Sequence, residues 1–531
     1  LQSNQKDPAK GNRPADVDIN DAEIEGIVAY LWDKSTPFKI EGPTGGGNAA
    51  RGKELVHSIG CLGCHTDDAN EVIADRSNAR AFGPNLGGLG SKTTQAWVFS
   101  WLKDPKHFWK ETYMPDLRLS DAEALDIAAY LVSSRNPEFE KIAIPAVSDP
   151  TRDWLAREYL SARLTTAEAE ARLKSMDVRA KKLYIGEKMI NKYGCFACHA
   201  IKGFENAQPI GTELTEEGSK PVERLDFGLE EETVPHTLPG WVAAKLENPR
   251  RFDRGKIKGW DEKLKMPNFY FTPQEISQLV TVIQAFSKVR MDNDMRRNLS
   301  ASEAFIEQGR RTARSHNCIA CHTFERDKAR TQALGEAPIR ATIKDAGYYP
   351  PMLAGEGEKV IPFWLFSFLK APSTIRPWLN VRMPTFGLTD HETASLSKMF
   401  AYLDGAEYPF ESDYFKLEPP SAELVAGGAK LFTTFKCLQC HVAGAGKPER
   451  DAADLAPNLS LARSRLRPMW IEQWLRNPEA LQPGTRMPGF FPDLQSPDKS
   501  VLGGDALVQM RALRYHVLGL SARGGGIPTG D

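Results

Sequence analysis

Cys61-Leu62-Gly63-Cys64-His65 decides the reading of this chain, because the same arrangement returns three times. It reappears as Cys195-Phe196-Ala197-Cys198-His199, Cys318-Ile319-Ala320-Cys321-His322 and Cys437-Leu438-Gln439-Cys440-His441. All 8 cysteines of the 531 residues lie in these four pairs, and only 10 residues are His. By composition alone, four pairs each followed by His has a probability on the order of 10⁻⁷.

The pattern fits covalent haem attachment. Two thiols add to the two vinyl groups of one porphyrin, and the two-residue gap spans them in a single turn of chain. The next residue then brings an imidazole to the iron. Other uses of paired cysteines fit less well. A structural zinc site needs two pairs ~15–20 residues apart, whereas successive pairs here start 134, 123 and 119 residues apart. A thioredoxin-like motif expects a βαβ context, and strand patterns are scarce. Disulfides between neighbouring pairs fit the spacing but leave the four histidines unexplained.

A Met-Pro dipeptide follows every motif: Met114-Pro115, Met266-Pro267, Met383-Pro384 and Met487-Pro488. A thioether is a soft donor for haem iron, and His/Met ligation raises the reduction potential. Proline bars helix continuation and holds Met on a rigid loop. A single Met reads best as core filler. Four at matching positions favour His65/Met114, His199/Met266, His322/Met383 and His441/Met487 as axial pairs. Between motif and Met lies a short tryptophan helix: Trp97-Trp101-Leu102-Pro105, Trp241-Lys245-Leu246-Pro249, Trp364-Phe368-Leu369-Pro372 and Trp470-Trp474-Leu475-Pro478. The first and fifth residues share a helix face, which would pack on a porphyrin, and Pro ends the helix.

Helical patterns flank each motif. Before it come Ala49 to Ile59, Lys182 to Lys192, Ala304 to Ser315 and Glu423 to Phe435. After Met come Ser120 to Ser133, Thr272 to Ser287, Thr389 to Leu403 and Asp505 to Leu518. Capping boxes open three of these: Ser120/Glu123, Thr272/Glu275 and Thr389/Glu392. The expected fold is therefore all-α, in four units of roughly 100–120 residues, each too small to be stable without a haem filling its core.

This order of elements resembles class I cytochrome c, repeated four times over about residues 41–142, 176–290, 299–407 and 420–520. The resemblance implies four covalently bound haems c, attached through Cys61, Cys64, Cys195, Cys198, Cys318, Cys321, Cys437 and Cys440. It also implies that an early loop Pro carbonyl orients the haem-binding His. Pro84 and Pro457 match that position well, and Trp97, Trp241, Trp364 and Trp470 would line the porphyrins. Copy three has the looser Pro351-Met352-Leu353, and copy two has Gly211-Thr212-Glu213-Leu214, with no Pro in register. The domains are then 1–40 (an N-terminal segment), 41–142, a helical linker 143–175, 176–292, 293–407, 408–522 and a flexible tail 523–531 containing Gly524 to Gly526.

Six histidines lie outside the motifs. His107, His236, His391 and His516 fall at unrelated repeat positions, unlike the Met-Pro pairs, and His57 and His316 read as packing or surface residues. Asn20 to Trp32 resembles the last helix of copy one, with a capping box at Asn20/Glu23, yet no haem motif precedes it. It reads either as the remnant of a longer product or as a helix that docks on a neighbouring copy or subunit. Gly42 to Gly47 reads as a flexible joint. The chain starts at Leu1 rather than Met, so either a leader has been removed or the chain is a fragment.

Composition narrows function. Hydrophobic residues make up 41% and charged residues 26%, ordinary for a globular protein. A net charge of −1 gives no field toward nucleic acid. The longest apolar run, Ile361 to Leu369, is far short of the ~20 residues of a membrane span. Residues 1–142 carry 16 Lys+Arg against 21 Asp+Glu, and residues 418–531 carry 13 against 11, so the two ends could steer different redox partners. The expected role is electron transfer, not catalysis. The resemblance implies a location in the periplasm or on the outer face of the cytoplasmic membrane, docked on a quinol-oxidising, oxidase or photosynthetic complex. The alternatives are the cytochrome subunit of a membrane-bound dehydrogenase, a haem peroxidase or a gas sensor.

Overall fold

The structure is a computed structural model describing residues 13–40, 42–73, 78–208, 210–257, 263–288, 298–324, 339, 343, 346–409, 417–444 and 456–520. The tail and part of the joint at 408–420 lie outside these residues. Among the described residues, two isolated bridges are the only extended pairing.

The long helices, in chain order, are α1 (Asp16–Lys34), α2 (Ala49–Ile59), α3 (Gln95–Lys103), α4 (Asp121–Ser133), α5 (Asp149–Ser161), α6 (Thr166–Lys174), α7 (Val178–Tyr193) and α8 (Leu238–Glu247). They continue with α9 (Pro273–Ala285), α10 (Ala301–Ser315), α11 (Pro362–Lys370), α12 (Asp390–Leu403), α13 (Ala422–Thr434), α14 (Pro468–Arg476) and α15 (Ala506–Leu520). Local chemistry sets their ends. The capping boxes at Ser120, Thr272 and Thr389 form in full. The tryptophan helices α3, α8, α11 and α14 stop at Asp104, Asn248, Ala371 and Asn477, each held out of the helical region by the Pro that follows.

The chain forms two compact units: Leu1–Pro37 with Ala143–Arg297, and Phe38–Ile142 with Asn298–Asp531. The second unit holds copies one, three and four. In each, the helix before the motif crosses the terminal helix: α2 on α4, α10 on α12, α13 on α15. Each tryptophan helix packs onto the same terminal helix. A glycine nine residues before the first Cys sits at each crossing. A Cβ on Gly52 would lie 1.9 Å from the Asp126 carbonyl oxygen, and one on Gly428 2.3 Å from that of Ala512.

Copy three is the middle of the three. It meets copy one through an antiparallel bridge, Asp116 to Thr385, each two residues past its Met. Arg118 reinforces it by donating to the Met383 carbonyl at 2.7 Å, and Arg382 pairs with Glu123 at 2.7 Å. Copy three meets copy four through a second bridge, Val360 to Leu466, each four residues ahead of its helix's Trp. The stretch Gly42 to Gly47, expected to be a flexible joint, is instead pinned: Gln95 Nε2 donates to the Gly46 carbonyl at 2.7 Å, and a Cβ on Gly47 would lie 2.7 Å from the Leu125 carbonyl oxygen.

The first unit has two cores. One joins α1, α5, α6 and α7 through Ile19, Ala22, Trp154, Leu155, Leu173, Ile185 and Met189. The stretch expected as a helical spacer is thus a packed part of this unit. Arg152 of α5 holds Glu25 of α1 with two bonds at 2.6 and 2.9 Å. The expected capping box at Asn20/Glu23 does not form, because α1 starts four residues earlier, at Asp16. Glu23 is buried instead and accepts from Lys192 Nζ at 3.0 Å and Tyr193 Oη at 2.5 Å. The other core joins α8 and α9, with Ile276, Leu279, Val280 and Ile283 of α9 packed against Leu225, Phe227, Trp241, Val242 and Phe252.

Candidate functional site

Each motif folds into a single 3₁₀ turn: Cys61–Gly63, Cys195–Ala197, Cys318–Ala320 and Cys437–Gln439. The residue before each turn has positive φ: Gly60, Gly194, Asn317 and Lys436. The amide of each following His donates to the first Cys carbonyl, at 3.1 Å for His65, 2.9 Å for His199, 3.0 Å for His322 and 3.0 Å for His441. Both thiols and the imidazole therefore leave one turn of chain in all four copies. None of the eight cysteines is paired in a disulfide.

In the second unit the imidazoles are oriented alike. Nδ1 of His65, His322 and His441 donates to the carbonyls of Pro84 (2.7 Å), Pro351 (2.8 Å) and Pro457 (2.8 Å). That bond fixes the tautomer and leaves Nε2 with a lone pair for a metal. Burial holds all three rings below the usual imidazole range, with the Pro carbonyl pulling the other way. Burial likewise pushes the thiols of Cys61 and Cys318 up to about 12 and that of Cys437 up to about 11.

Met114, Met383 and Met487 pack in the same cores as Cys61, Cys318 and Cys437 respectively. The tryptophan faces line up as expected: Trp97 stacks on Trp101 at 5.3 Å, Trp364 on Phe368 at 4.8 Å and Trp470 on Trp474 at 5.1 Å. The indole N–H of Trp101 reaches Met114 Sδ at 2.9 Å, and that of Trp474 reaches Met487 Sδ at 2.8 Å. Were Met487 a ligand to haem iron, a donor on its sulfur would draw electron density from the metal. Trp474→Phe is expected to lower one reduction potential by about 20–65 mV, the equivalent of a ~0.5–1.5 kcal/mol hydrogen bond at 59 mV per decade. A redox titration in which all midpoints stay in place would contradict this.

These side chains converge on one continuous cavity of 2410 Å³, lined by the Cys, His and Met of all three copies together with Trp97, Trp364 and Trp470. Its wall suits an apolar macrocycle that carries carboxylates. Arg465 and Arg376 both line it. Burial, followed by the neighbouring Arg465 charge, pushes Arg376 down to about 10. Arg465 lies over the Trp364 ring, and its buried Nε has no hydrogen-bond partner among the described residues. Cations held in that state fit propionate groups. The residues present therefore fit a haem in copies one, three and four.

Copy two differs. Cys198 and His199 are exposed, and among the described residues no loop carbonyl accepts from the His199 ring as Pro84, Pro351 and Pro457 do for theirs. Met266 packs with Leu264 and Phe271 against the α8–α9 core, which contains no residue of α7. Trp241 belongs to that same core, and its indole donates to the Asp226 carbonyl at 3.0 Å. The structure thus brings together Cys, His and Met in three copies and not in the second.

The remaining histidines have other partners. His57 pairs with Asp67 and His316 with Glu392, each at 2.9 Å, and Gln308 bonds His391 at 2.9 Å. His107 lies edge-on to Phe108, His236 stacks on Phe227, and His516 lies against Phe432. Among the described residues no cluster of three or more His, Cys, Asp or Glu could hold a metal, as distant zinc pairs would require.

Two features were not anticipated from sequence. Asn317 is buried, with its amide donating to the Ala79 carbonyl at 2.9 Å and to Cys64 Sγ at 3.1 Å, so it ties the attachment turns of copies one and three together. The crossing glycines Gly52, Gly186, Gly309 and Gly428 stand nine residues before the first Cys of every copy, a signal present in the sequence itself.

Residues 49–135 match the family model of cytochrome c. A covalent haem c is accordingly implied at Cys61 and Cys64, in a domain suited to electron transfer. Over 89 residues the chain is 28% identical to cytochrome c oxidase subunit 2 of Bacillus subtilis (strain 168), covering 15% of this chain and 25% of that relative. The chain thus spans about a quarter of the length of the curated relative it matches. No solved structure matches it.

Proposed function

We propose that the chain is a multihaem cytochrome, with four haems c attached at its four motifs, that carries single electrons between redox partners. The observation that carries this reading is the continuous cavity joining the Cys, His and Met of copies one, three and four. Bound haem supplies reversible one-electron exchange between ferric and ferrous iron. The chain's own residues do the rest. Cys61/Cys64, Cys318/Cys321 and Cys437/Cys440 anchor, while His65, His322 and His441 ligate with orientations set by Pro84, Pro351 and Pro457. Met114, Met383 and Met487 ligate from the facing loops, and apolar walls exclude water. Copy three, bridged to both neighbours, is the central relay of the order one–three–four.

No described helix is long and apolar enough to cross a membrane. We place the protein in the periplasm or on the outer face of the cytoplasmic membrane, docked on a respiratory or photosynthetic complex. The relative's name favours an oxidase as that partner. A redox titration of the holoprotein, with near-infrared spectra for Met–iron bonds, tests the reading. At least three high-potential centres with the Met–iron band are expected. Low-potential centres without it would overturn the Met assignments.

A further inference from the structure

The chain has four motif-preceding helices but five helices of terminal type: α4, α9, α12, α15 and α1. The crossing contacts show which of them pair. A Cβ on Gly52 of α2 would meet the Asp126 carbonyl oxygen at 1.9 Å and Tyr130 Cβ at 2.9 Å. A Cβ on Gly186 of α7 would make the same contacts with α1: the Gly26 carbonyl oxygen at 2.1 Å and Tyr30 Cβ at 2.7 Å. Aligning Asp21-Ala22-Glu23 with Asp121-Ala122-Glu123 places Gly26 on Asp126 and Tyr30 on Tyr130. Helix α1 therefore holds the terminal-helix groove of copy two, in register.

Helix α9 is left over. Its capping box aligns Thr272 with Ser120, which puts Gln278 and Val282 at the two crossing positions. Both are exposed, Val282 by 51%. The same helix keeps its contact with the tryptophan helix α8, as the other terminal helices do with theirs. Its sequence carries the apolar and polar pattern of a terminal helix, and what it lacks is the partner that α1 occupies.

We propose that α1 and α9 are alternative occupants of one groove on α7. With α1 seated, Met266 stays in the α8–α9 core while Cys198 and His199 are exposed. With α9 seated, one helix touches both α7 and the tryptophan helix α8, as the terminal helices do with their partners in copies one, three and four. Two occupants of one groove shift with any difference in their affinities for it.

Gly26→Val tests this in the full-length holoprotein. The new side chain would grow from a Cβ 2.7 Å from Ile185 Cγ2 and 2.9 Å from the Gly186 amide nitrogen, so it unseats α1 without altering α7 or α9. Amide hydrogen exchange is expected to show α1 losing protection while Gln278–Ala285 gains it. Loss of protection in α1 with none gained in α9 would overturn the proposal. Should Gly26→Val not fold, Gly26→Ala is read by the same exchange pattern, since its Cβ already meets Ile185 Cγ2 at 2.7 Å; protection lost in α1 with none gained in α9 overturns the proposal.

Discussion

Replacing Gly52 with valine is expected to open the first copy. The Cβ would lie 1.9 Å from the Asp126 carbonyl oxygen and 2.9 Å from Tyr130 Cβ, so the obstacle is the backbone of α4 rather than a side chain that can turn away. Overpacking a core typically costs ~1–3 kcal/mol, and a backbone clash belongs at or above that upper end. We expect a loss of about 3 kcal/mol or more, lowering the melting temperature by roughly 6–12 °C for a unit of this size. Gly519→Ala is the control. No atom lies within 4 Å of its Cβ, and alanine favours helix, so its melting temperature should stay level or rise. Equal effects from the two substitutions in calorimetry would mean that the α2–α4 crossing is not closely packed.

Removing both thiols of copy three, Cys318→Ala with Cys321→Ala, should have the larger structural effect. This copy bridges the other two through Thr385 and Val360 and shares their cavity. At ~24 cal/mol per Å³, leaving a third of the 2410 Å³ cavity unfilled would cost on the order of 20 kcal/mol. That exceeds the ~5–15 kcal/mol by which domains are stable. Copy three should therefore lose its packing rather than persist as a shell. Hydrogen exchange should show α10 and α12 unprotected, with the bridge amides of Asp116 and Thr385 exchanging as well. A doubly substituted protein one haem lighter but with α10 and α12 still protected would contradict a haem-filled core.

Much of this architecture is legible locally. A Cys-x-x-Cys-His turn needs only its own residues, and the tryptophan helices end where Pro follows. The Ser120, Thr272 and Thr389 capping boxes are three-residue signals, and all three form. What sequence reading missed depends on distant partners. Glu23 looked like a cap but is buried against Lys192 and Tyr193, about 170 residues away. The linker expected over 143–175 is helical, yet its Ala169 and Leu173 join the core formed with Ile19, Leu155 and Ile185. Pro351 seemed a loose match, but its carbonyl holds His322 as firmly as Pro84 holds His65. The order one–three–four rests on two isolated bridges, which leave no periodic trace in sequence. The terminal-helix resemblance of α1 was visible, while the helix it would cover was not.

The most direct test is the intact mass of the mature holoprotein, followed by peptide mapping. The account predicts a mass above that of the polypeptide by four haems, with one haem on each peptide carrying Cys61/Cys64, Cys195/Cys198, Cys318/Cys321 and Cys437/Cys440. A mass equal to that of the bare polypeptide, with eight free thiols, would contradict it.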